Sequence, residues 1–489
     1  MTGAAFPAPE YKATVLAPLF EGFKRHHRFF LLAIHRAHGL MLGERGLLKP
    51  DELRKILRAL DDATAGLDPA TLVYTGEHED FFFWLEAELA ARVGPDLAGR
   101  LHTGRSRNDI DQTIFKMALR ERLLALLVRL ETLIAALLRR GEQEKATLVV
   151  AYTHGQPAQP TTFGHYLGAL IEMLLRDADR LLHALETVDR CSMGAAAITT
   201  SGFRLDRARV AALLGFAAVQ ENSYGSIAVV DYVAEAYAAV KIMSLGLGRF
   251  VQDLNSWTGF EIGHIRVPDA FVQISSIMPQ KRNPVPVEHL RLIFSLAGGR
   301  AETVLSTLHN TPFTDMNDAE GEVQAAGYEA FDTMDRGLLL LTGFMQAITI
   351  DEVKVRRHIA ESCITITEVA DSLVREEGIS SRQAHHLASI LARRMIAAGE
   401  TLATLPMPVF VNAFAEVIGR PPGIDEARFR EIGTPEHFVA VRGMFGGPAA
   451  LSESLERYTA ALDNIAARRG DYQRRIEMAA AERARLVSA

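Results

Sequence analysis

"IDQTIFKMALRERLLALLVRLETLIAALLRR", residues 110–140, runs for about eight helical turns without a Gly or a Pro. Its Leu, Ile, Ala and Met residues recur at three- and four-residue intervals, which is the period of one helix face. An ordinary globular helix is half as long, so the stretch points to a long-helix bundle. Working outward, the same periodicity predicts helices over about Thr161–Val188, Ala228–Trp257, Pro286–Leu308 and Glu322–Gln346. The fold class expected is all-α, with the long helices in a central domain at 110–355.

The flanks read differently. Residues 1–109 are expected to form shorter helices broken at Gly43, Gly46, Pro50, Gly66 and Pro69, and 356–489 a C-terminal helical domain with breaks at Pro406–Pro408 and Gly419–Gly423. At 489 residues, two or three domains or one elongated helical unit are expected.

Composition limits the function classes. Sixty acidic residues against 53 basic ones give a net charge of -7, so there is no cationic excess to hold nucleic acid or an anionic membrane. Cys191 and Cys363 lie far apart in no ligand-like spacing, which disfavours a disulfide framework and a zinc site. The start, MTGAAFPAPEYKATV, lacks the basic-then-apolar pattern of a secretory signal, and no run reaches the roughly eighteen apolar residues of a membrane span. A cytoplasmic enzyme or binding protein with small-molecule or protein partners is the expectation.

Three polar stretches interrupt the helical pattern. "LHTGRSRNDID", 101–111, crowds Ser106, Arg107 and Asn108 at a helix start, where Arg forks and free N–H groups bind carboxylates; a simple helix cap with solvated charges is the plainer reading. "AYTHGQPAQPTTFGHYL", 151–167, fixes Thr153, His154 and Gln159 between a break and a helix start. "ISSIMPQKRNP", 274–284, brings Ser275, Ser276, Met278, Lys281 and Asn283 together, and reads otherwise as a loop leading into the helix near Pro286.

Chemically, such a set suits removal of a proton from carbon beside a carboxylate. The resulting aci-carboxylate dianion needs a fixed cation and hydrogen-bond donors. Serine can act as the base where backbone N–H groups or a cation stabilise its alkoxide. A Ser/His hydrolase is disfavoured because no G-x-S-x-G elbow occurs.

The three stretches, in this order, closely resemble the signature regions of the fumarase/aspartase superfamily, and "HTGRSRND" and "YTHGQPAQPTTFGHYL" resemble those of its argininosuccinate lyase branch. The resemblance implies a three-domain subunit, a homotetramer around a twenty-helix core, and active sites each shared among three subunits. It implies a carbon–nitrogen lyase that cleaves an N-substituted aspartate by anti elimination to fumarate and an amine, without metal or cofactor. Carried over by position, Ser275 is the base, and Lys281 and Asn283 stabilise the intermediate. Ser106, Arg107, Asn108 and Thr153 hold the succinyl carboxylates, with Ser276, Gln159 and Met278 as helpers. His154 pairs with Glu288 as electrostatic or acid-side support.

Departures from the branch concern the amine half. Where its members carry Tyr-Asn-Lys-Asp-Leu-Gln-Glu-Asp-Lys, associated with the arginine end of the substrate, this chain has Asp315-Met316-Asn317-Asp318-Ala319-Glu320-Gly321-Glu322-Val323. Ile274 replaces the Gly before the serine pair, and Val285 an Asp. The expectation is therefore an amine other than arginine, of the kind handled by ethylenediamine-disuccinate lyase-type enzymes. The alternatives are argininosuccinate lyase itself, binding arginine through other residues, and a non-catalytic structural protein of the same fold.

Overall fold

The computed structural model describes residues 6–65 and 67–488, so Gly66 and the first five residues of the N-terminal reading lie outside it. The described chain is all-α, with strands only in short two-stranded pairs. The elements that matter here are α1 (Ala17–His26), α2 (Arg28–Glu44), α3 (Pro50–Thr64), α4 (Phe81–Val93) and α5 (Arg107–Gln143). They are followed by the hairpin β1 (Leu148–Thr153) and β2 (Gln156–Thr162), then α6 (Phe163–Val188) and α7 (Asp231–Thr258). Next come β3 (Gln273–Ile274), β4 (Arg282–Asn283), α8 (Val285–Thr307) and α9 (Gly321–Ala347). The C-terminal part holds α10 (Ile366–Glu377), α11 (Ser381–Ala398), α12 (Met407–Ile418) and α13 (Leu451–Ser488).

The opening stretch lies inside α5. Ser106 caps it: the Asn108 N–H donates to Ser106 Oγ at 3.2 Å, and the Ser106 N–H donates to Asp109 Oδ1 at 2.7 Å. Almost every residue of the first four turns of α5 is buried, because α6 and α9 pack on it from different sides. α7 packs on α6 and α8, and α8 on α9, which closes a five-helix core.

Glycines inside these helices mark close approach. A Cβ at Gly246 of α7 would press on the Met173 thioether of α6, and one at Gly337 of α9 on the Phe294 ring of α8. Absence of a side chain lets the backbones close up at the expense of some helix propensity.

A separate apolar core joins α10, α11 and α12 around Phe410, Phe414 and Phe429, with the Phe410 and Phe429 rings stacked at 4.3 Å. The last helix, α13, returns to lie along α5 and α6. Its Arg475 pairs with Asp189, which is buried and also accepts from Arg120 Nη1 at 3.0 Å. Asp189→Ala leaves the buried Arg120 guanidinium without its counter-charge, at about 3–5 kcal/mol. We expect the unfolding midpoint to fall by roughly 5–10 °C in a thermal melt, with α13 loosening first in hydrogen exchange.

The long helices also present apolar residues outward. Ile242 and Leu245 on α7, Leu292 and Leu296 on α8, and Leu339 on α9 are exposed, Leu245 to 61%. Ile242 and Leu245 lie three residues apart and Leu292 and Leu296 four apart, so each pair shares one face of its helix. No helix among the described residues is long and apolar enough to cross a membrane.

Candidate active site

The serine stretch folds as a small hairpin. β3 and β4 pair antiparallel with Gln273 opposite Asn283 and Ile274 opposite Arg282, so Ser275 to Lys281 form its tip. Ile274, a β-branched residue where the related pattern has Gly, takes the strand conformation that suits it. Arg282 anchors the hairpin through Val267 O at 2.9 Å and Asp269 Oδ1 at 2.5 Å. Asn283 Nδ2 donates to Gln273 O at 3.1 Å.

Within the tip, the Met278 N–H donates to Ser275 Oγ at 3.1 Å, and the Lys281 N–H donates to Met278 O at 3.0 Å. A backbone donor aimed at a serine oxygen stabilises negative charge on that oxygen. Ser276, Met278 and Lys281 are exposed, and among the described residues the Lys281 ammonium makes no ion pair. Glu288 is exposed in the first turn of α8.

Thr153 and His154 occupy the turn of the β1–β2 hairpin, exposed, with His154 at φ 52° and Gly155 at φ 73°. The left-handed backbone at a non-glycine residue is a strained conformation of the kind found at functional turns. Gln159 lies exposed on β2. Among the described residues no hydrogen bond joins His154 to Glu288, and none links the three polar stretches to one another.

The first stretch is built differently from a solvated cap. Arg105 is buried and hydrogen-bonds His35 Nδ1 at 2.9 Å; Asp109 is buried and accepts from the Gly194 and Ala196 N–H groups at 2.8 and 3.1 Å. Arg107 donates to Asp80, the N-cap of α4, and to Asp111 Oδ2 at 3.0 Å, while the Asn108 amide donates to Asp315. Two of the groups assigned to succinyl carboxylates are thus engaged by carboxylates of the chain itself.

Asp80, Arg107, Asn108, Asp111 and Asp315 line a cavity of about 540 Å³, closed on other sides by Leu19 and Phe23 of α1, Phe83 of α4 and Glu320. Asp80 and Asp111 were not singled out in the sequence, where isolated acids look like solvated surface. Asp111 carries one available signal: it follows Arg107 by four residues, the spacing at which an acid and an Arg meet on one helix face.

Crowded acids shift one another. Burial, with Asp315 and Asp111 beside it, pushes the Glu320 carboxyl up to about 8; burial pushes Asp111 up to about 6 against the pull of Arg107. Burial opposes the Arg107 charge, but Asp111 and Asp80 more than offset this and hold it strongly protonated. The folded chain therefore keeps a proton on Glu320 that an unfolded chain releases near pH 4.5, so this site costs stability as pH rises from about 4.5 to 8. Glu320→Gln is expected to leave the melting temperature unchanged near pH 4.5 and raise it by roughly 2 °C or more at pH 8.5. Equal melting temperatures for the two proteins at pH 8.5 would contradict the crowding. No group of three or more His, Cys, Asp or Glu side chains among the described residues is arranged to hold a metal ion.

Comparison with known proteins places this geometry. The family model described as lyase matches residues 32–299, and that of the argininosuccinate lyase C-terminal region matches 363–440. The chain is 54% identical over 482 residues to argininosuccinate lyase 2 of Agrobacterium fabrum, covering 99% of this chain and 95% of the relative. It is 32% identical over 445 residues to argininosuccinate lyase of Methanocaldococcus jannaschii, covering 87% and 88%. A solved EDDS lyase variant with bound fumarate superposes with a TM-score of 0.84 at 28% identity, covering 100% of this chain and 96% of that one. The chain belongs to the lyase family, in its argininosuccinate lyase-like branch, and is a carbon–nitrogen lyase.

Proposed function

We propose that the enzyme forms fumarate by anti elimination from an N-substituted aspartate, and that the amine half is arginine, so that argininosuccinate is cleaved to arginine and fumarate. The relatives favour arginine over the different amine expected from residues 315–323. The observation that carries the reaction is the Met278 N–H held on Ser275 Oγ, in the same hairpin tip as Lys281, whose ammonium makes no ion pair among the described residues.

In the step, the Ser275 alkoxide takes the Cβ proton and the aci-carboxylate forms beside Lys281 and Asn283. The dianion then collapses: the C–C double bond of fumarate forms, the C–N bond breaks, and its electron pair goes to nitrogen. A guanidinium leaving group departs neutral and takes up a proton afterwards, and His154 with Glu288 support that side. Ser106, Arg107, Asn108 and Thr153 hold the carboxylates, helped by Gln159, Ser276 and Met278. This requires Arg107 and Asn108 to exchange partners when substrate arrives.

Because no hydrogen bond among the described residues links the three stretches, and the second and third expose Thr153, His154, Ser276 and Lys281, we infer that each site is completed by other copies in a homotetramer. The outward apolar residues Ile242, Leu245, Leu292, Leu296 and Leu339 of α7, α8 and α9 offer surface for it. Each subunit then works as segments 1–109, 110–355 and 356–489 in the cytoplasm, where its substrates are metabolites.

A second reading, a different amine, is favoured by one observation: Asp315 and Glu320 stand where the family pattern has Tyr and Gln. Fumarate release from argininosuccinate, followed by its near-ultraviolet absorbance, separates the two. Release at a rate above that for consumption of fumarate with ethylenediamine, ammonia or simple amino acids supports arginine, and the reverse order supports the second reading.

A further inference from the structure

We propose that the cavity built on Asp111, Asp315 and Glu320 is a cation subsite, taking an ammonium or guanidinium group on the amine half of the substrate; this rests on the fumarate-forming reading above. The cavity is lined by Glu79, Asp80, Asp111, Asp315, Glu320 and Glu322 against the single guanidinium of Arg107. Arg107 is already shared between Asp80 and Asp111, so among the described residues Asp315 has no cationic partner in the cavity, and Glu320 ionises only when a positive charge arrives.

The unsatisfied atoms point the same way. Asp111 is only 8% exposed, yet its Oδ1 has no hydrogen-bond partner, and Oδ1 of Asp315 is likewise unpartnered. A buried carboxylate oxygen without a donor is costly, and the cost falls when an N–H donor arrives from outside. A neutral ligand could donate, but a cation also offsets the burial and the neighbouring Asp315 and Asp111 charges that together push Glu320 up to about 8. A carboxylate-ended ligand would add to it.

A metal ion is the other cation to weigh. Among the described residues these carboxylates do not form a ligand group of three, whereas an organic cation needs no such convergence. The walls suit an organic ion as well: Leu19, Phe23 and Phe83 offer apolar surface for a methylene chain behind a charged end. Arg107 and Asn108 line the same space, so a charged end bound here leaves the rest of the ligand beside the residues assigned to the succinyl half.

The test is the rate of fumarate consumption with amines that differ at the far end: agmatine and ethylenediamine as cations, propylamine as neutral, β-alanine as anion. The untouched enzyme is expected to favour the cationic pair over propylamine by tenfold or more in kcat/KM. Asp111→Asn and Glu320→Gln, measured separately, are expected to cut that ratio about tenfold, chiefly through KM. A ratio unchanged in both variants would overturn the subsite while leaving the lyase reading in place. If none of these amines consumes fumarate, fumarate release from argininosuccinate judges the lyase reading separately, and calorimetry judges the subsite alone. Agmatine heat lost in Asp111→Asn, with propylamine silent, then supports it, and no agmatine heat with the untouched protein overturns it.

Discussion

Ser275→Ala is expected to lower turnover by about 10³-fold or more, with the oligomer and its melting temperature unchanged. The hydroxyl sits at a hairpin tip, and among the described residues the one hydrogen bond it receives comes from the Met278 N–H. Its loss therefore removes no packing, and an effect on stability beyond a few tenths of a kcal/mol is not expected. A serine hydroxyl is a poor base in water; what raises its competence is stabilisation of the alkoxide, and the Met278 donor supplies part of that. Steady-state fumarate assays and size-exclusion chromatography check both halves of the expectation. Residual activity above a tenth of the original would take Ser275 out of the role of base.

Lys281→Ala is expected to slow turnover by about 10²–10³-fold, mainly in kcat. The ammonium is needed most when the second negative charge develops on the substrate carboxylate, so its loss weighs more on the transition state than on binding. Among the described residues the side chain has no acidic partner to lose, which separates this substitution from Arg107, whose removal would strand Asp80 and Asp111. A rise in KM with kcat unchanged would show that Lys281 binds substrate without stabilising the intermediate.

The long helices were legible because their apolar period is strong: the periodic stretch at 110–140 lies inside the helix found at Arg107–Gln143. The β1–β2 hairpin was not, since Pro157 and Pro160 obscure the strand pattern that Leu148–Thr153 alone carries. Helix α13, 38 residues long, was not singled out within the C-terminal helical domain, because seven Arg and four Glu residues and Gly470 interrupt its apolar period. It stays in place through one buried stripe, Leu451, Leu455 and Ile465, and through ion pairs such as Arg469 with Glu131 at 2.6 Å.

The candidate site divides in the same way. Each polar stretch was visible as a break in apolar periodicity, and the resemblance supplied their roles. Contacts distant in sequence were not visible: Arg107 with Asp80, 27 residues away, and Asn108 with Asp315, 207 away, depend on how α4, α5 and the segment before α9 meet. The acidity of residues 315–322 was plain in the sequence, but its closure around Asp111 was not.

The central claim is that the three stretches form one fumarate-forming site only across copies of the chain. Mixing Ser275→Ala with His154→Asn tests it most directly. Asn tolerates the left-handed backbone at position 154, so the β1–β2 turn is kept. Subunits are dissociated and reassociated together, and fumarate formation is compared with each variant reassociated alone. The account predicts activity several times that of either parent, and no such gain when Ser275→Ala is mixed with Lys281→Ala, whose lesions share one hairpin. Activity equal to the average of the two parents in the first mixture would contradict it.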